Sequence, residues 1–150
     1  MRWILVFALC WSLESGSGNL QDRLTHRADH GWIVTILEID RDIVLPSEKQ
    51  LLAVLRIKPP GAKAVSLAFD RTEAAVFKVE GADGIIAWRS SWHLAPGEHE
   101  RMVTRSGWPI HLRIPMGRGK DERLPAGRYI LHTRLLLTPP LENRIAFQVR

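Results

Sequence analysis

The chain has 150 residues, of which 45% are hydrophobic, 25% charged and 7% aromatic, and its formal net charge is +5. These fractions are ordinary for a folded domain and exclude an intrinsically disordered or collagen-like chain. The length favours one domain and is too short for an α/β barrel or a two-domain dinucleotide-binding dehydrogenase.

The N-terminus has the pattern of a secretory signal peptide. Arg2 precedes an apolar run from Trp3 to Trp11, and small residues follow up to Gly18. We predict a signal peptide at residues 1–18 and a periplasmic or secreted protein. A buried N-terminal strand or a wrongly chosen start codon is the alternative, and lipidation at Cys10 is a further one. The run is too short to span a bilayer. Its removal deletes the only cysteine, which excludes thiol catalysis and disulfides from the mature chain.

Downstream, the hydrophobic pattern has the two-residue period of β-strands. We interpret the polar residues 19–31 as a flexible linker and residues 32–150 as one β-sandwich domain. Residues 38–49 stay open as a strand, a loop or a short helical turn. Turn residues separate the apolar segments, which in chain order are 32–37, 50–58, 65–69, 76–80, 85–89, 98–104, 110–114, 128–135 and 145–149.

Each strand has one apolar face, which only a second layer of strands can bury. The pattern therefore predicts an all-β, antiparallel sandwich of about seven or eight strands, with the remaining apolar segment in a connection. Leu124–Tyr129 ends in Gly-x-Tyr, which resembles the entry to a strand in immunoglobulin-like domains. There, the tyrosine hydroxyl bonds back to the preceding loop. We expect an immunoglobulin-like sandwich.

Motifs for catalysis or cofactor binding are weak. Gly117–Lys120 lacks the upstream glycine and the following Ser or Thr of a phosphate loop. His26 and His30 have ligand spacing only on a helix, and we interpret them as linker residues. His111 and His132 fall on outer strand faces. We predict no catalytic, metal-binding or cofactor-binding residue, and no cofactor.

Positive charge is concentrated in the second half of the domain. Residues 86–150 contain 11 basic and 5 acidic residues, a net +6. Such a balance favours an acidic partner, phosphate or anionic lipid, or it is simply a solvated face, which is the interpretation that we take.

Three tryptophans lie close to these basic residues. We interpret Trp88 as the core tryptophan, because it shares a strand face with Ile86. Trp92 and Trp108 lie at turn edges. If they are exposed there, they are the candidate residues for contact with a partner, since indole is favoured at interface hot spots. Nucleic acid is not an expected partner of an exported chain.

The order of several motifs resembles the BsuPI-like intracellular proteinase inhibitor family. They are Phe77–Trp88 with its Asp-Gly turn, Leu94–Glu98, Trp108, and Leu124–Tyr129. The resemblance covers about residues 50–135. It implies an immunoglobulin-like fold and inhibition of serine proteases inside the cell. This chain departs from that pattern in its expected export and in the short spacing between Trp88 and Leu94, and the matching motifs contain no reactive-site residue.

Three functions from different classes follow. The first, which we favour, is a non-catalytic exported binding domain that uses loops on a rigid scaffold and contacts another protein. The second is a serine protease inhibitor, which an outward loop carrying Arg or Leu would favour. The third and most remote is a small hydrolase or metalloenzyme built from distant His and acidic residues. We expect a monomer without a membrane span.

Overall fold

The computed structural model describes residues 24–117 and 122–150, whose framework consists of eleven β-strands. The expected signal peptide and residues 118–120 of the Gly117–Lys120 segment lie outside the described residues. The strands are β1 (Thr25–Asp29), β2 (Val34–Ile39), β3 (Ile43–Val44), β4 (Gln50–Lys58), β5 (Val65–Ala68), β6 (Glu73–Gly81), β7 (Ile86–His93), β8 (Glu100–Val103), β9 (Trp108–Pro115), β10 (Gly127–Leu135) and β11 (Leu141–Val149).

The strands form two main sheets and a short ribbon. One sheet has the order β1-β2-β4-β9, the other β3-β11-β10-β6-β7, and β5 pairs with β8. All pairs are antiparallel except β3 with β11. Adjacent β4 and β9 in one sheet and adjacent β6, β10 and β11 in the other correspond to the B–E and C–F–G strands of immunoglobulin domains. The predicted all-β, immunoglobulin-like sandwich is confirmed, with eleven described strands instead of seven or eight. The surplus includes β1 and β3.

Alternation of apolar and polar residues explains why the strands form where they do. In β4, which has the predicted bounds, Leu51, Leu55 and Ile57 are buried while Gln50 and Leu52 are exposed. The inward side chains of both sheets meet in one core, which includes the fully buried Phe77. Burial of a side chain of this size stabilises the fold by about 1.5–3 kcal/mol.

The N-terminal linker was predicted too long. Thr25–Asp29 form β1, which pairs antiparallel with β2 from Thr25–Glu38 to Asp29–Val34. The sheet therefore begins before residue 32, and the predicted domain boundary is wrong at this end. The error arises because β1 is polar and contains no fully buried residue, so hydrophobic periodicity does not reveal it.

Trp88 is not the central core residue that the sequence suggested. It lies on β7, opposite the fully buried Val79, and is only partly buried against the core. The reason is that β7 is the last strand of its sheet, where neighbours cover a side chain from one side only.

The turns agree with their sequence signals. The Tyr129 hydroxyl donates to the Pro125 carbonyl oxygen at 2.7 Å, as predicted from Gly-x-Tyr. In the β6–β7 hairpin, Gly84 has a positive φ of 78°, which a glycine adopts without strain. The Tyr129 hydrogen bond defines the start of β10, and the turn at Gly84 defines the ends of β6 and β7 that it joins.

In the described ranges of the chain there is no helix long and apolar enough to cross a lipid bilayer.

Candidate functional site

Trp108, a candidate contact residue if it were exposed, is buried. Its side chain is 7% exposed and packs edge-on against Phe69, with ring centroids 6.2 Å apart. It is the first residue of β9 and pairs with buried Ile57, so it belongs to the inward-facing set of its strand. Although Trp108 lies beside a turn in the sequence, it occupies an inward-facing position of the sheet, and the exposure that a contact residue needs is absent.

Trp92 is half-buried against Trp108 in a T-shaped pair with centroids 5.1 Å apart. The Arg101 guanidinium lies 5.1 Å from the Trp92 ring centre and 4.6 Å from that of Trp108. A cation over an indole face is an attractive arrangement. The exposed tryptophan pair that would favour a docking surface is thus absent here, and a partner contact at Trp92 stays a prediction.

Glu98 holds Arg101 in this position. One carboxylate oxygen accepts from the Arg101 Nη2 at 2.8 Å, and the other accepts from the Ala95 amide at 3.2 Å. The side-chain hydrogen bond from Arg101 lowers the pKa of Glu98 below its ordinary value. This cluster fastens the Ala95–Glu98 turn to the tryptophans, which is a structural role.

A different feature stands out on the outer face of the five-stranded sheet. The registers place Arg144 of β11 opposite His132 of β10, His132 opposite Lys78 of β6, and Lys78 opposite Arg89 of β7. We call these four residues the basic row. Neighbouring strands lie about 4.7–4.9 Å apart, so four basic side chains follow one another in a line across the sheet.

The basic row is only partly neutralised. Glu80 Oε2 lies 3.3 Å from His132 Nε2 and 3.7 Å from Lys78 Nζ. Within the described residues, neither Arg89 nor Arg144 forms an ion pair with a carboxylate. Lys78 and Arg89 are like charges directly opposite each other, an arrangement that destabilises a sheet and that an added anion would relieve.

The surroundings of His132 lower the pKa of its imidazole. Burial, and after it the charge of Lys78, lowers the pKa of His132 below its ordinary value. Its side chain is still 28% exposed. The imidazole is consequently neutral at pH 7, and a bound anion would favour its protonated form.

A groove of about 560 Å³ runs along the row. At one end it is bounded by His26 of β1 and Asn143 of β11, and the charged residues of β6, β7, β10 and β11 line the rest. Basic residues outnumber Glu142, the one acidic residue of the lining, so the groove is mainly positive and has a polar end.

Asn143 ties the two sheets together at this end. It is 5% exposed, and its amide nitrogen donates to the carbonyl oxygens of His26 at 3.0 Å and Thr35 at 3.2 Å. Its Oδ1 lies 2.6 Å from His26 Nδ1, which must carry the hydrogen because a carbonyl oxygen accepts. His30 Nε2 lies 3.1 Å from Thr35 Oγ1. Both histidines, predicted as linker residues, are anchors of β1.

Across the described ranges 24–117 and 122–150, no group of three or more His, Cys, Asp or Glu side chains is placed to hold a metal ion.

Sequence reasoning missed the basic row because its members are spread from residue 78 to residue 144. The signal that was present is the alternation itself, which placed His132 on an outer strand face. The sequence does not reveal the register of β6, β7, β10 and β11. That register places the basic residues of the four strands in one line.

No family model and no curated protein matches the chain, so membership of the BsuPI-like family stays a prediction. Among solved structures, the chain is similar to CopC from Methylosinus trichosporium OB3b, at 17% identity and a TM-score of 0.40, over 83% of this chain and 92% of that one. It is also similar to the alkylpurine DNA glycosylase AlkC from Pseudomonas fluorescens, at 9% identity and a TM-score of 0.44, over 75% of this chain and 28% of that one. Likenesses this distant do not identify a function.

Proposed function

We propose that the protein is a non-catalytic binding domain that holds an anionic partner on the basic row. The observation that carries the proposal is the alignment of Arg144, His132, Lys78 and Arg89 across four strands. Guanidinium groups suit carboxylates and phosphates because their N–H groups form paired hydrogen bonds with two oxygens. The proposal replaces the interpretation of the basic half as a merely solvated face.

Sulfate is a suitable first probe, because its charge is constant between pH 5 and 8. In a titration followed by NMR of the ¹⁵N-labelled protein, we expect the resonances of the four residues to shift with one common dissociation constant. Lys78→Gln should weaken binding about tenfold, a loss of about 1.4 kcal/mol. Arg113→Gln is the matched control, because it removes the same charge from an exposed position on the other sheet.

The pH dependence sharpens this test. Because the anion favours protonated His132, binding takes up a proton, and affinity should rise as the pH falls toward the lowered pKa of His132. The groups that face His132 are Lys78 and Glu80 on β6 and Glu142 and Arg144 on β11. His132→Gln should remove most of the rise. Equal weakening by Lys78→Gln and Arg113→Gln would show that sulfate responds to net charge alone, and the proposal would fail.

Export is part of the proposal and rests on the sequence of residues 1–18. A reporter enzyme fused behind residues 1–20 should be exported and shortened. A variant with Leu5→Arg and Leu9→Arg, which breaks the apolar run, should leave the reporter uncleaved in the cytoplasm. A cytoplasmic, unprocessed reporter with the unaltered leader would contradict export.

Protease inhibition is the second candidate, and one loop favours it. Leu45 is 46% exposed, and its carbonyl oxygen accepts from the Glu48 amide at 3.0 Å and from Arg123 Nη2. This is an outward leucine on a braced loop. However, an inhibitor that binds like a substrate places the carbonyl of its contact residue in the oxyanion hole, and this carbonyl is already engaged. For that reason the binding domain ranks first.

A further inference from the structure

The basic row ends at β7, an edge strand of the five-stranded sheet. β7 is the last strand in the order β3-β11-β10-β6-β7 and pairs with β6. None of its eight residues is fully buried. In the described parts of the chain, no strand pairs with the other side of β7. Such an edge presents backbone N–H and C=O groups to any extended chain that can pair with them.

Arg89 is the residue of the row that lies on this edge. It is exposed, stands opposite Lys78, and has no carboxylate partner among the residues that the structure describes. An additional strand would lie about 4.7–4.9 Å beyond β7. A side chain on its outer face would then continue the row directly beside Arg89, where an acidic group completes an ion pair that the described residues do not supply.

The positions on either side of Arg89 have a different character. Ser91 donates to Glu73 Oε1 at 2.6 Å, so a second acidic group beside Ser91 would meet a carboxylate. Ile86 lies opposite Glu80 and is 43% exposed, and its neighbour Ile85 is 57% exposed. The edge therefore favours a partner strand that carries an acidic residue beside Arg89, a neutral residue beside Ser91 and an apolar residue beside Ile86.

We propose that a partner protein docks as an additional strand on β7, with a single Asp or Glu beside Arg89 and an apolar side chain toward Ile86. This inference rests on the proposed function and specifies its partner as an extended polypeptide. Backbone pairing supplies affinity in such docking, and alternate side chains supply specificity. Membranes and nucleic acids provide anions without the alternating N–H and C=O groups that an open strand edge pairs with.

The test uses a blocked seven-residue peptide with alternating Thr and Val around a central Glu, titrated into the ¹⁵N-labelled protein. We expect the largest shifts and slowed amide exchange in residues 86–93. Two further peptides carry N-methyl groups on alternate residues, in the two possible frames. Because every second N–H of an added strand faces β7, one frame should abolish binding and the other should leave it within about twofold of the parent peptide.

A charge exchange tests the role of Arg89. Arg89→Glu should reverse the preference, so that a peptide with central Lys binds better than the Glu peptide, by about fivefold or more. Arg89→Gln should remove the preference without reversing it, and Arg113→Glu on the other sheet should keep the original one. Equal binding of both methylated frames, or an unchanged preference in Arg89→Glu, overturns strand docking. Sulfate binding to the row is measured separately, so that result leaves the proposed function standing, whereas loss of sulfate binding removes both.

Discussion

Trp108→Ala should lower the free energy of unfolding by about 3–5 kcal/mol, as for other buried large aromatic residues. The indole is 7% exposed and fills the space between Phe69 and Trp92. Its removal leaves a cavity and also takes away one of the two ring faces that hold the Arg101 guanidinium. Equilibrium denaturation with guanidinium chloride measures the effect, with the slope of the transition as a check that the same surface unfolds.

Trp32→Ala is the matched control, because Trp32 is 42% exposed and the same atoms are deleted. We expect a loss of about 1 kcal/mol or less there. Trp88→Ala should fall between the two, since Trp88 is half-buried on an edge strand. If Trp88→Ala cost more than Trp108→Ala, the burial assigned to the two tryptophans would be wrong.

Asn143→Ala should destabilise the protein by about 2–3 kcal/mol, because unpaired buried polar groups keep their full desolvation cost. The change removes the donors to the His26 and Thr35 carbonyl oxygens and the acceptor for His26 Nδ1. Thr35 is 2% exposed, so water does not readily replace the lost partner. Denaturation gives the total loss, and hydrogen exchange should show β1 opening more readily than the rest of its sheet.

Gln148→Ala controls for the loss of an amide side chain on the same strand, since Gln148 is exposed on β11. It should be neutral within about 0.5 kcal/mol. Asn143→Asp gives a second comparison, because it keeps the shape and Oδ1 but brings an acceptor against the two carbonyl oxygens. Similar stability of Asn143→Asp and the unaltered protein would contradict the assigned hydrogen bonds.

The sequence predicts those parts of the fold that local chemistry determines. The alternation in Gln50–Lys58 identified β4 to the residue, and Gly-x-Tyr identified the hydrogen bond of Tyr129. By contrast, β1 depends on Asn143, a partner 117 residues from His26 in the chain. No local pattern contains such a contact.

The basic row and the burial of Trp108 could not be predicted from the sequence for the same reason. Arg89 and Lys78 are opposite each other only because a register shift near Val79 and Glu80 sets the pairing of β6 and β7. A shift by one residue would turn each side chain to the other face. Residue types alone therefore predicted a charge excess and aromatic contacts, but not where either would lie.

The parallel pairing of β3 with β11 has a consequence for how the domain comes apart. β2 belongs to the four-stranded sheet, whereas β3, which follows it after a short connection, belongs to the five-stranded sheet. The segment that contains β2 and β3 thus contributes one strand to each sheet, and unfolding of one sheet disrupts a strand of the other. Two stacked sheets joined in this way behave as a single cooperative unit, so heat or denaturant should unfold both sheets in one transition.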